Sequence, residues 1–198
     1  MSLVDLLTQQ ITSQGLKGLS QQLGTSEDQT TSAISAALPM IIGAMAKNTS
    51  SADGANALSN ALNKDHDGSI LDNLGGFLGS TDNGSGPGIL KNVLGEKKGM
   101  VEQGISQISG MDLSKVGPLL ENLAPIVMGQ LGRTQRSQGL DAGGLASILL
   151  GATQGQQGGG SAMGSAALSM LGNILDKDND GSFLDDVGGM LGGMFGKK

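Results

Sequence analysis

Apolar residues along this chain come in short runs broken by glycine and polar stretches, and their spacing is that of helices. The run Asp186 to Gly196 places Met190, Leu191, Met194 and Phe195 on one helical stripe, and Leu74 to Leu78 is a shorter run of the same kind. Ala33 to Ala46 is the longest apolar candidate, and it is too short to span a bilayer. Thr25 and Ser26, followed by Asp28 and Gln29, signal a helix start, while Leu38-Pro39 predicts a kink or a new helix start. Glycines recur four apart within the apolar runs, as Gly75 and Gly79 or Gly188, Gly192 and Gly196. That spacing aligns them on one helix face, where a second backbone can come close.

Composition narrows the class to all-α. The chain has no Trp or Tyr, three Phe and ten Met, and so few aromatics beside so much Leu, Ala and Gln disfavour pleated strands. Its 35 glycines each cost about 1 kcal/mol in a helix interior, which close helix packing explains.

The chain also repeats itself. Gly18, Ser20, Gln21, Gly24, Pro39 and Gly43 fall on Gly104, Ser106, Gln107, Gly110, Pro125 and Gly129, 86 residues further on. Asn63 to Asp72 falls on Asp176 to Asp185 at a separation of 113, so the second copy carries 27 extra residues. The expected architecture is a duplicated multi-helix bundle with Gly-rich helices. Residues 1–82 form the first repeat, with an aspartate loop at 63–72. Residues 83–198 form the second, with an insertion near 151–165 and a loop at 176–186. Ser80 to Gly88, rich in Gly and Pro, is the expected linker.

The two loops carry the candidate chemistry. In Asp-x-Asp-x-Asp-Gly-Ser, side chains at alternate positions can converge on one point while glycine permits a sharp turn, a cup suited to a cation with six to eight oxygen ligands. The EF-hand-like first site is Asn63, Asp65, Asp67, the carbonyl of Ser69, and Asp72. The second is Asp176, Asp178, Asp180, Ser182, and Asp185 or Asp186. Position twelve of an EF-hand is a bidentate Glu, whereas Leu74 and Val187 stand there, so the closing carboxylate comes from Asp72 in one loop and Asp185 or Asp186 in the other. Two calcium ions are expected, the second held more tightly because its loop is richer in carboxylates. Ser69-x-x-Asp72 and Ser182-x-x-Asp185 also resemble capping boxes, which accounts for those residues but not for the alternating acids upstream. His66, the one histidine, is expected to face solvent.

The remaining features set the function class. Leu19 to Ile34 has the spacing of a helix-turn-helix, which makes a DNA-associated regulator the alternative reading. Its would-be recognition helix, however, begins Ser26-Glu27-Asp28-Gln29 without Lys or Arg, and the net charge is −6, so nucleic acid is not an expected partner. No catalytic motif, cysteine or small-molecule fingerprint appears, and no enzyme is expected. No signal peptide is visible; cytoplasm is the default, with leaderless export left open. The C-terminal stripe predicts a homo-oligomer, and an open filament if the contact does not close.

Leu-Pro in the long helix, Asp-x-Asp-Gly-Ser-x-x-Asp before a Gly-rich helix, and Ser-Gly-Met-Asp before a Leu-Ala-Pro helix together resemble the bacterial domain of unknown function 937 family, related to YidB-like proteins. The likeness covers Met1 to about Arg136. It implies a bacterial helical protein and supplies no activity, and the second aspartate loop falls outside the matched part.

Overall fold

A computed structural model describes residues 3–80 and 84–154, and among them every regular element is helical. The protein is all-α. In chain order come α1 (Leu3–Gln14), α2 (Leu16–Leu23), α3 (Glu27–Asn48), α4 (Ala52–Asp65), a 3-10 turn (Ser69–Asn73), α5 (Leu74–Leu78), α6 (Gly86–Leu94), a second 3-10 turn (Gly95–Lys97), α7 (Lys98–Ser109), α8 (Leu113–Gln138) and α9 (Ala142–Gln154).

Two long helices make the centre. From Ala33 to Met45, α3 is buried almost all the way round, as a helix must be when it is apolar on every face. It packs on α1, α2, α6, α7, α8 and α9, so one core crosses from residues before 81 to residues after 83. In α8, Val116, Leu119, Leu120, Leu123, Ile126, Val127 and Leu131 are fully buried and belong to the same core.

Three expectations need correction. The apolar stretch Ala33–Ala46 is part of a 22-residue helix, which by length and composition could cross a membrane, yet 72% of its most apolar window is buried inside the fold. Of the two alternatives at Leu38-Pro39, a kink or a new helix start, the second is excluded: α3 is continuous across Pro39, as α8 is across both Pro118 and Pro125. A proline costs about 3 kcal/mol inside a helix, and burying several large side chains at about 1.5–3 kcal/mol each outweighs that. Four residues before Pro125, the Glu121 carbonyl oxygen lies so close to Gly86 that a side chain there would collide with it. The predicted linker is therefore partly structure: Gly86, Pro87 and Gly88 form the first turn of α6, with proline at the helix start where its missing N–H does no harm.

Two helix corners share one construction. α2 stops at Gly24, in the left-handed region with φ 60°, and α3 begins three residues later behind Ser26, whose hydroxyl accepts from the Gln29 amide. α7 stops at Gly110, φ 69°, and α8 begins behind Asp112, whose carboxylate accepts from the Ser114 amide. Glycine occupies these caps because other L-residues pay a steric penalty there.

Candidate functional site

The first aspartate loop hangs between the end of α4 and the start of α5. Asn63 and Asp65 are still helical, in the last turn of α4. Two residues apart on a helix means about 200° of rotation, so these side chains diverge. Asp67 follows the helix, and its carboxylate accepts the Ser69 amide at 2.9 Å. Bonds from Ser69, side chain and backbone, hold the Asp67 carboxyl below the usual carboxylate range. Gly68, at φ 88°, makes the sharp turn, and Ser69 opens the 3-10 turn that carries Asp72.

Cations from α8 grip this loop. Arg133 donates one guanidinium nitrogen to the Gly68 carbonyl at 2.9 Å and to the Asp72 carboxylate, with which it is ion-paired. Arg136 donates to the carbonyls of Leu62 and Asn63 at 3.3 and 3.4 Å, taking acceptors exposed at the C-terminal end of α4. The approach is close because α8 is small here. A side chain at Gly132 would strike the His66 carbonyl oxygen, and one at Gly129 would come within 2.6 Å of the Ile70 methyl. Beyond the loop, α5 lies against the α1–α2 junction. Leu78 is fully buried over Gly15, and Gly18 sits against the backbone of Gly79.

The predicted ligands of the first site are thus neighbours that do not face one point. Among the described residues no group of three or more acidic, His or Cys side chains is placed to hold a metal ion. Asp176, Asp178, Asp180, Ser182, Asp185 and Asp186 lie outside the described residues, as does the stripe Met190 to Phe195. So does most of the expected insertion; residues 151–154 end α9. His66 is not a solvent-facing bystander. It is half-buried, and burial lowers its pKa against the opposing pull of Asp65.

Sequence reasoning passed over Arg133 and Arg136. Their signal was two arginines one helical turn apart near the end of a long helix, in a chain with only 12 basic residues. Nothing local announces that their partners lie 61 to 74 residues earlier.

The helix-turn-helix spacing does correspond to a helix corner, α2–α3. Glu27 and Asp28 open α3, and its first cation is Lys47 in the last turn.

The profile of DUF937, a bacterial protein family of unknown function, matches residues 5–134, about two thirds of the chain. The chain belongs to that family. No curated protein and no solved structure matches it.

Proposed function

We propose that the protein is a non-enzymatic structural module of two like halves, in which each aspartate loop latches one half onto the other and answers to calcium. The observation that carries this is the grip of Arg133, on α8, upon Gly68 and Asp72. That contact joins residues 61 to 65 apart and closes α4 and α5 over a helix of the other half. Support for two like halves comes from the repeated residues and from the matching caps at Gly24 and Gly110.

Calcium enters through the spacing of the acids. For Asn63, Asp65 and Asp67 to share an ion, the last turn of α4 must open, and the ion must replace Arg133 as the positive partner of Asp72. The guanidinium and the cation therefore compete at the first loop. The second loop offers Asp176, Asp178, Asp180, Asp185 and Asp186 and is the stronger candidate. Because a latch reaches from one half to the other, exchange between chains would join copies head to tail, giving oligomers or open filaments. Among the described residues no observation favours a DNA-associated regulator over this reading.

The test is thermal melting against free calcium. Ligand binding to the folded state raises Tm by mass action. Asp178→Asn with Asp180→Asn should remove more of the rise than Asp65→Asn with Asp67→Asn. Arg133→Gln should lower Tm in chelator and enlarge the rise on adding calcium. Melting indifferent to calcium and chelator in all of these proteins overturns the calcium part of the proposal.

A further inference from the structure

We propose that the groove between α4 and α6 is a binding site for a small cationic amphiphile, an unbranched aliphatic chain ending in an amine. The site goes beyond the latch reading and needs neither calcium nor the second loop.

The groove follows from how α3 ends. Ser51 caps α4 by accepting the Gly54 amide at 3.1 Å, and a side chain at Gly54 would strike the Asn48 carbonyl oxygen, so α4 starts hard against the last residue of α3. The Asn48 side chain turns to the other neighbour and donates to the carbonyls of Asn92 and Val93 at 3.3 and 3.0 Å, near the end of α6. One residue thus fixes both walls. Between them opens a space of about 710 Å³, a size and a setting between packed helices that suit a small-molecule site.

Most of the lining is aliphatic. Met45 of α3 and Met128 of α8 are buried, while Leu58 of α4 and Val93 of α6 are only partly buried, so apolar surface is left open to a concave space. No aromatic ring is among the described lining residues. A ligand therefore meets branched aliphatic side chains and two adaptable methionines rather than a stacking surface. A flexible hydrocarbon chain fits such a surface, and each CH2 that it buries there favours binding.

The charged end of the groove is the foot of α4. Asp65 and His66 line it there. Lys64 and Arg136 are the cations at this end of α4, and neither they nor any other described Lys or Arg lines the groove. Asp65 stands in the last turn of α4, where the helix already presents partial negative charge, so its carboxylate is at the unfavourable end. Among the described residues it has no ion-pair partner. Half-buried His66 does not supply the missing charge, because burial lowers its pKa against the pull of Asp65 and keeps the imidazole neutral near pH 7. A cation placed here meets the carboxylate and the helix end together, whereas a carboxylate headgroup meets only like charge. That contrast selects an amine over a fatty acid.

The probes are decylamine, decanol and decanoate, each below the concentration at which it aggregates, titrated by calorimetry into the full chain in chelator. One saturable amine site per chain is expected, with decanoate at least about tenfold weaker and the alcohol between them. Asp65→Asn should weaken the amine about fivefold, the worth of a part-exposed ion pair, and leave the alcohol unchanged. Asp28→Asn removes the same charge from the first turn of α3 and should leave both unchanged. Val93→Phe fills the groove from a partly exposed position and should abolish binding of all three probes in a protein that still melts cooperatively. Without any substitution, the methyl resonances of Met45 and Met128 should shift on adding the amine while that of exposed Met100 stays in place. Uptake that Asp28→Asn and Asp65→Asn reduce equally, or that leaves the Met45 and Met128 signals unmoved, is nonspecific attraction to an acidic chain and overturns the site. Tighter binding of decanoate than of the amine overturns the choice of ligand. No saturable binding of the amine overturns the proposal and, with calcium absent throughout, leaves the latch reading standing.

Discussion

The α2–α3 and α7–α8 corners are built alike and joined to each other, yet they differ in charge. Position 29 follows the first corner and position 115 follows the second, 86 residues later. Gln29 donates its amide to the Gly110 carbonyl at 3.1 Å, and Lys115 donates its ammonium to the Gly24 carbonyl. Each corner thus satisfies a backbone acceptor that the other leaves open at a helix end. The same exchange is neutral in one direction and charge-assisted in the other. One corner is capped by Ser26 and the other by Asp112. The two corners agree where the backbone demands it, at the left-handed glycines, and differ in side-chain chemistry.

The sharpest break in the comparison is on the central helices. Gly132 has no room for a side chain because the His66 carbonyl occupies that space, whereas 86 residues earlier, in α3, stands Ala46. Gly132→Ala should therefore cost about 1–3 kcal/mol or more in a urea melt, since backbone must move to admit the methyl. Ala46→Gly should cost about 1 kcal/mol, the ordinary helix-propensity loss. Gly132→Ala that proves neutral or stabilising would show that α8 does not need glycine to receive the loop.

A smaller effect is expected where the corners cross. Lys115→Ala removes a charged donor and Gln29→Ala a neutral one, so losses of about 1.5 kcal/mol and about 0.5–1 kcal/mol are expected from the usual strengths of such bonds. Partial exposure pulls the first figure down, and added salt should weaken the Lys115 contact alone. Equal losses with equal salt response would mean that charge contributes nothing at the crossing.

The helical class was legible from composition, and the α2–α3 corner from Gly24, Ser26 and Gln29, because turn and cap chemistry is local. α5 could be read from Leu74 to Leu78 for the same reason. What escaped was set by distant partners. The continuity of α3 through Pro39 depends on burial that no window around Pro39 contains. Gly86-Pro87-Gly88 looks like a linker until the Glu121 carbonyl is seen against Gly86. In the first loop, alternating acids read as a cup, but α4 extends through Asp65 and divides them. The charge that meets Asp72 comes from Arg133, 61 residues away.

The smallest expected difference between the corners is their response to acid. Ser26 does not titrate, whereas Asp112 does, and its carboxyl is held below the ordinary value of 3.8 by bonds from the Ser114 side chain and backbone, with the Lys115 charge adding to them. A carboxyl whose folded pKa lies below its unfolded value stabilises the fold fully above the unfolded value, and that contribution is lost as pH falls through the folded one. Below about pH 4, therefore, the α7–α8 corner should weaken while the α2–α3 cap stays as it was. Asp67 acts with the same sign at the first loop, so the whole protein melts earlier in acid and total stability alone does not isolate the corner. The decisive measurement is the difference between proteins. Asp112→Ser makes the second cap chemically like the first and should flatten the fall in Tm from about pH 5 to about pH 3, while Ser26→Asp should steepen it. Parallel curves for the native protein and Asp112→Ser would show that the carboxylate cap contributes nothing beyond what a hydroxyl supplies.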